Sequence, residues 1–211
     1  MIMNKIGQIN RGSVFGEKIY NISRQEDVRT IVEIGTWNGM GSTKCIYDAV
    51  IGTNKLVYSL ECNRITHEEA KINLGFIPPN FKLIHGTIVD VEELKPMMKE
   101  LDDVIEEEKK NILKGWLKQD IDWIRITPNV INKLPKKIDF LIIDGGLWSG
   151  YLEFMKLWSR CHYIGLDDTK SDKHIKTRKF ILENPEKFKM IYDDEGLDSS
   201  RNGFLICEVK K

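Results

Sequence analysis

The 211-residue sequence predicts an α/β protein with a mostly parallel, seven-stranded sheet and helices on both faces. Short apolar or β-branched runs alternate with amphipathic segments along the chain, which is typical of parallel strands joined by helices. The last two strand-like runs are joined by a short loop without a helix. We therefore expect these two strands to pair antiparallel at one edge of the sheet. The length fits a single domain over residues 1–211.

The strand-like runs are short, apolar and bounded by turn residues. They are residues 29–35, 55–61, 81–86, 138–144, 162–166, 188–193 and 203–209. The helical segments between them are residues 42–51, 64–74, 149–159 and 172–183. Ser42 or Thr43 is expected near the N-cap of the first of these helices, because hydroxyl side chains cap helix N-termini. Residues 198–203 have the composition of a turn between the last two strands.

Two segments lie outside this alternation. Within residues 1–27, the apolar side chains of 13–25 have helical spacing and predict a leading helix that packs over the sheet. Residues 88–127 form a helical insertion after the third strand, either one amphipathic helix or a hairpin broken near Glu108–Lys110. Three interpretations of the insertion stay open: an appendage with a solvated outer face, a cap over a substrate cleft, or a dimerisation element that would make a homo-oligomer.

Composition excludes several classes of protein. The 32 basic and 32 acidic residues balance, which argues against nucleic acid as the main partner. No apolar run is long enough to span a membrane, and the first residues do not resemble a signal peptide. The four cysteines are widely spaced, which disfavours a zinc site or a disulfide framework. The expected location is the reducing cytoplasm.

A glycine-rich turn follows the first predicted strand. The sequence of residues 31–43, IVEIGTWNGMGST, places Glu33 at the end of the strand and Gly35, Gly39 and Gly41 in the turn. Glycines allow a tight turn and a close approach of a ligand, and the N-terminus of the next helix attracts anionic groups. The spacing is not GxGxxG, and there is no Gly-Lys-Ser/Thr motif. Dinucleotide and nucleoside-triphosphate sites are therefore disfavoured.

Acidic residues also end three later strands. Glu61 follows the second strand, where an acid can accept hydrogen bonds from ribose hydroxyls. Asp144 ends the fourth strand beside two glycines, and Asp167 and Asp168 end the fifth. Carboxylates at close quarters repel unless a proton or cation intervenes, and oxygen ligands favour Mg²⁺, Ca²⁺ or Mn²⁺. A helix cap without a metal is the alternative for Asp168.

Taken together, VEIGTWNGMGST, SLEC and DFLIIDGG resemble class I S-adenosylmethionine-dependent methyltransferases, which have a Rossmann-like fold. The resemblance extends from about Thr30 to Val209. It is closest to O-methyltransferase-like proteins that act on small molecules or sugars. It implies S-adenosylmethionine as the cofactor and a small-molecule or sugar hydroxyl as the acceptor. The implied cofactor residues are Glu33, Gly35, Thr36, Trp37, Asn38, Gly39, Ser42, Glu61, Cys62, Thr87 and Asp144.

The same resemblance implies a catalytic role for Asp144, which would face the sulfonium and the reacting oxygen. In metal-dependent members the Mg²⁺ ligands correspond here to Asp144, Asp167 and Asp168. Two positions depart from the family pattern. Thr87 stands where an Asp is frequent after the third strand, and Leu147 stands where a His or Lys base is frequent.

Two of the four histidines and one basic run are expected at the surface. His67 and His174 are interpreted as solvated, and the basic residues of 170–179 as an exposed helix face or a site for an anionic substrate. Two other functions stay open beside methyl transfer. One is a nucleotide-sugar glycosyltransferase, because Asp167 and Asp168 would also suit a metal-bound diphosphate. The other is a non-catalytic binding module, because the usual base is missing.

Overall fold

A seven-stranded sheet forms the centre of the molecule, in a computed structural model that describes residues 6–100, 106–194 and 202–210. The strands are β1 Thr30–Ile34, β2 Leu56–Glu61, β3 Phe81–His85, β4 Ile138–Ile143, β5 Cys161–Asp167, β6 Phe188–Asp193 and β7 Phe204–Val209. The helices are α1 Val14–Arg24, α2 Ser42–Val50, α3 Arg64–Leu74, α4 Val91–Glu100, α5 Glu107–Ile126, α6 Gly150–Leu157 and α7 Ile175–Glu183.

The strand order is β3-β2-β1-β4-β5-β7-β6. β1 to β5 run parallel, whereas β7 lies between β5 and β6 and is antiparallel to both. The predicted antiparallel pairing of the last two strands is confirmed. Residues 198–201 of the predicted turn between them lie outside the described residues. β1 and β4 are adjacent. The chain continues from β1 towards β2 on one side and from β4 towards β5 on the other, so a crevice forms between the carboxyl ends of β1 and β4.

Two apolar clusters cover the two faces of the sheet. α1, α2 and α3 pack on one face, where Phe15 of α1 stacks on Phe204 with ring centroids 4.5 Å apart. α4 to α7 pack on the other face around Phe154 and Leu141. All six residues of β4 are buried, as expected for a central parallel strand covered on both faces. The leading helix is therefore confirmed, and it packs over the sheet as predicted.

Local chemistry explains several helix ends. Ser13 caps α1 by accepting the N–H of Gly16, and Asn63 caps α3 by accepting the N–H of Ile65. α3 ends at Gly75, whose φ of +66° suits glycine. The N-cap of α2 is Gly41, and the hydroxyls of Ser42 and Thr43 serve another purpose described below.

The insertion after β3 contains two helices, α4 and α5. The hairpin interpretation is confirmed, but the break was predicted too late, because α5 already begins at Glu107. The connection between the helices, residues 101–105, lies outside the described residues. Among the described residues no helix is long and apolar enough to cross a membrane.

Candidate active site

The loop after β1 packs directly against the end of β4. Gly35 has a φ of +100°, and a Cβ built on it would lie 2.4 Å from the carbonyl oxygen of Asp144. No side chain fits there, so the glycine is required by both backbone conformation and space. Trp37 has a φ of +50°, which is strained for a bulky residue and typical of functional loops. Its N–H donates to Glu61 Oε2 at 2.6 Å, which holds the strained turn in place.

Glu33, at the end of β1, stabilises this loop by hydrogen bonds to the elements around it. Its carboxylate is fully buried and accepts hydrogen bonds from Ser42 Oγ at 2.6 Å, Thr43 Oγ1 at 2.7 Å and Ser59 Oγ at 2.5 Å. Burial raises the pKa of Glu33 to about 7, against the opposing effect of these three hydroxyl donors. Thr36 Oγ1 joins the same network through Ser59 Oγ at 2.6 Å. Glu33 and Ser42 therefore connect β1 to α2 beneath the loop.

A cavity of about 380 Å³ opens at the carboxyl ends of β1, β2 and β4. Six of the predicted cofactor residues line it: Gly35, Trp37, Glu61, Cys62, Thr87 and Asp144. Glu61 is 9% exposed, and its two oxygens accept the N–H groups of Trp37 and Asn63 at 2.6 and 2.8 Å. Burial raises the pKa of Glu61 in spite of these two hydrogen bonds. The side chains of Thr66 and Cys62 are further donors to this carboxylate, so a ligand hydroxyl would compete with them for its lone pairs.

The remaining predicted cofactor residues take other positions around the loop. Thr36 and Ser42 line a second recess of about 440 Å³, which Trp37 also lines. Asn38 stabilises the turn, because its Oδ1 accepts the N–H of Met40 at 3.0 Å. Gly39 packs against α3, where an added Cβ would lie 3.2 Å from Ala70 Cα. These residues shape the loop, and their contact with a cofactor stays a prediction.

The second recess meets the first cavity at a shared wall. Gly35, Trp37 and Asp144 line both. The outer side of the recess is formed by residues 6–9, which are held against the loop by the Gly7 N–H to Met40 carbonyl bond of 2.9 Å. Asp167 and Asp168 form its far side. A ligand in either space would therefore lie next to Asp144.

The three predicted metal ligands converge in this recess. One oxygen each of Asp144, Asp167 and Asp168 lies within 4.8 Å of the others. Their oxygens are of the type that Mg²⁺ prefers. Lys173 stands among them, however, with Nζ 2.6 Å from Asp144 Oδ1 and 3.6 Å from Asp168 Oδ2. Three carboxylate oxygens are suitable ligands for a divalent cation, but the ammonium of Lys173 already places a positive charge at the cluster.

Lys173 was not identified from the sequence. We expected the run 170–179 to be an exposed face, and for Lys173 that is wrong, because the side chain is 9% exposed. Burial lowers the pKa of an ammonium group, but the carboxylates of Asp144 and Asp168 outweigh this and raise the pKa of Lys173 overall. His67 and His174 were also expected at the surface, and both are buried. For His174, burial lowers the pKa to about 3, so the ring is neutral.

Two further carboxylates of the first cavity were also missed. Glu153 of α6 is buried, and its Oε2 has no hydrogen-bond partner among the described residues. Burial raises the pKa of Glu153 to about 7. Asp120 of α5 accepts the N–H of Trp148 at 3.1 Å, and burial raises its pKa as well. The sequence contains one signal for Glu153, because this acid lies on the apolar face of its helix, between Gly150 and Leu157.

The insertion covers this cavity. Gln119, Asp120, Trp123 and Ile124 of α5 all line it. An added Cβ on Gly146, beside β4, would lie 2.8 Å from Asp120 Oδ2, so α5 approaches the loop after β4 closely. No described residue of 88–127 lines the recess of Asp167 and Asp168, so the appendage and the cap over a substrate cleft stay predictions. Dimerisation stays a prediction.

No protein-family model matches the sequence, and no curated protein matches it either. Many solved structures are similar in fold. The O-methyltransferase from Bacillus cereus in complex with SAH is 15% identical, with a TM-score of 0.61 over 97% of this chain and 84% of that one. The O-methyltransferase TomG from Streptomyces achromogenes in complex with SAM is 13% identical, with a TM-score of 0.57 over 93% of this chain and 79% of that one.

The SAH-bound methyltransferase PaMTH1 from Podospora anserina is 12% identical, with a TM-score of 0.57 over 93% of this chain and 78% of that one. The chain thus has the fold of class I S-adenosylmethionine-dependent O-methyltransferases, which confirms the fold class and the resemblance stated from the sequence.

Proposed function

We propose that this protein transfers the methyl group of S-adenosylmethionine to a hydroxyl oxygen of a small molecule or sugar. The observation that carries the proposal is the pair of spaces that meet at Asp144, one lined by Glu61 and the other by Asp167 and Asp168. A methyl transferase needs such a pair, because donor and acceptor must align on opposite sides of the moving carbon.

The first cavity suits the cofactor. Glu61 presents two oxygens whose remaining lone pairs can accept the two ribose hydroxyls. Glu61, Asp120 and Glu153 line the cavity together, and Asp144 stands at its inner end. S-adenosylmethionine carries a sulfonium charge, so an acidic, sheltered cavity attracts the methyl donor more strongly than its neutral product.

The second recess suits a hydroxyl-bearing acceptor. In the reaction the acceptor oxygen forms a bond to the methyl carbon as the carbon–sulfur bond breaks, and the hydroxyl proton leaves to a base or water. The side chain of Asp144 lies where the two ligands meet, so its carboxylate can orient the acceptor hydroxyl. Trp37, which is 40% exposed, forms part of the wall that excludes water from the transfer.

The predicted assistance by Mg²⁺ is not part of this mechanism. Asp144, Asp167 and Asp168 would be the ligands, and a bound Mg²⁺ would lower the pKa of the acceptor hydroxyl. The ammonium of Lys173 already neutralises part of that cluster. We propose a small acceptor rather than a nucleic acid, because an acidic recess repels a polyanion.

Calorimetric titration of the full chain with S-adenosylmethionine and with S-adenosylhomocysteine tests the proposal. We expect one ligand per chain, and roughly 10- to 100-fold weaker binding in Glu61→Gln, because hydrogen bonds to a charged group contribute about 1.5–3 kcal/mol. The matched control Glu26→Gln, at an exposed site, should bind as the wild type does.

The same titration separates the alternatives. No heat with S-adenosylmethionine at millimolar concentration would refute the proposal. Binding of a uridine diphosphate sugar in its place would favour the glycosyltransferase. Binding of S-adenosylmethionine without methylation of any hydroxyl acceptor, followed by mass spectrometry, would favour the non-catalytic module.

A further inference from the structure

The carboxylate cluster of the recess needs a cation. Asp144 follows β4, whereas Asp167 is the last residue of β5 and Asp168 comes directly after it, and parallel pairing brings the two strand ends side by side. One oxygen of each carboxylate lies within 4.8 Å of the others, and charges this close repel one another where burial is partial and screening by water is reduced. A proton, a metal ion or a basic side chain must offset that repulsion for the two strand ends to stay together.

A turn after β5 brings Lys173 to this cluster. Asp168 has a φ of +54°, which reverses the chain, and its carbonyl accepts both the N–H and the Oγ of Ser171 at 3.1 and 2.9 Å. The next residue after Lys173 is His174, which packs so closely on α6 that an added Cβ on Gly150 would lie 2.5 Å from its ring. These contacts hold the backbone on both sides of Lys173, and its side chain extends towards the cluster.

We propose that the ammonium of Lys173 is the resident cation of the Asp144, Asp167 and Asp168 cluster and takes the place of a divalent metal there. Nζ lies 2.6 Å from Asp144 Oδ1 and 3.6 Å from Asp168 Oδ2, which is the space between the two carboxylates that a shared metal would use. Mg²⁺ binds oxygen at about 2.1 Å, so it would come within a few ångströms of Nζ. Two like charges that close repel, and the lysine side chain is only 9% exposed in its place at the cluster.

The chemical consequence concerns Asp144. Its Oδ1 is held by Lys173, so the carboxylate keeps a fixed orientation at the junction of the two spaces. Lys173 is then a positioning residue for the acceptor. This part rests on the proposed methyl transfer, whereas the identity of the cation does not.

Binding of Mn²⁺ to the full chain, measured by electron paramagnetic resonance, tests the inference independently of enzymatic activity. We expect the wild type to bind no Mn²⁺ below millimolar concentration. Lys173→Met, which removes the charge but keeps the length of the side chain, should bind Mn²⁺ at least 10-fold more tightly. Lys173→Arg, which keeps a positive charge, should behave as the wild type does.

A loss of the Mn²⁺ signal in the double variant Lys173→Met/Asp168→Asn would assign the new site to the cluster. Asn tolerates the left-handed backbone at position 168, so this change tests the oxygen ligand rather than the turn. Stoichiometric Mn²⁺ binding by the wild type at micromolar concentration, abolished by Asp168→Asn, would overturn the inference. So would equal Mn²⁺ affinity of the wild type and Lys173→Met.

Two further arms keep the test decisive. If Lys173→Met does not fold, the wild type and Asp168→Asn are compared alone, and equal absence of Mn²⁺ uptake supports the inference. Titration of the chelator-treated wild type with S-adenosylmethionine reports on the proposed function independently. Failure to bind S-adenosylmethionine would refute the proposed function but not the assignment of Lys173 as the cation. Binding of both S-adenosylmethionine and micromolar Mn²⁺ by the wild type would refute the assignment but not the proposed function.

Discussion

Glu33→Gln should remove a pH dependence of stability that originates beneath the glycine-rich loop. Glu33 is fully buried, and burial raises its pKa from 4.5 to about 7. Between these values the folded chain holds a proton that the unfolded chain has lost. The stability that Glu33 contributes is therefore fully present below pH 4.5 and decreases as the pH rises towards 7.

The magnitude follows from the same shift. Each pH unit in this interval changes the free energy of unfolding by about 1.4 kcal/mol, so the whole interval amounts to roughly 3 kcal/mol. Gln has nearly the shape of a protonated Glu and can still bond to the hydroxyls of Ser42, Thr43 and Ser59. Relative to the wild type, Glu33→Gln should gain roughly 3 kcal/mol between pH 4.5 and 7.5.

Urea unfolding at pH 4.5, 5.5, 6.5 and 7.5, followed by circular dichroism, measures this difference. The exposed control Glu26→Gln should differ from the wild type by a small amount at every pH, because water solvates that carboxylate before and after unfolding. A difference between Glu33→Gln and the wild type that stays constant over the whole range would show that the reasoning about burial is wrong.

Three further changes, with Gly52→Ala as a control, test the site and the sheet that supports it. Gly35→Ala should lower the free energy of unfolding by more than about 3 kcal/mol in urea, because it adds a clash with the Asp144 carbonyl to the strain of a positive φ. Gly52→Ala, with positive φ but open space, should lose only about 1–2 kcal/mol. Glu153→Gln should flatten the rise in S-adenosylmethionine affinity that calorimetry is expected to show as the pH increases through about 7, where Glu153 ionises. Asp139→Asn should destabilise the chain by about 1.5–3 kcal/mol in thermal unfolding, because Oδ2 of Asp139 accepts two backbone N–H groups at the start of β1.

The strands and the rim of acids could be predicted because their signals are local. An apolar, β-branched run such as 138–143 is typical of a buried strand. Parallel strands place their carboxyl ends at the same edge of the sheet. The positions of Glu61 and Asp144 in the cavity wall follow from that rule alone. The beginning of α5 could not be predicted as accurately, because the apolar spacing in the sequence continues on both sides of Glu107.

The residues that were missed depend on contacts between distant parts of the chain. Lys173 belongs to a run of basic residues that looks solvated, and only the turn at Asp168 directs its side chain inward. Asp120 is 28 residues from Trp148, whose N–H it accepts. Sequence patterns indicate the environment of a residue on its own helix or strand. The partners of Lys173 and Asp120 lie on other segments of the chain, so these patterns do not reveal them.

The close packing of Gly35 on Asp144 has a mechanical consequence. The contact leaves no space for a methyl group, so the loop after β1 and the end of β4 can move only together. Because Gly35 and Asp144 belong to the walls of both spaces, occupation of either one shifts a surface that the other ligand must contact. The two ligands should therefore bind with a shared coupling free energy, and each should alter the affinity for the other by the same factor.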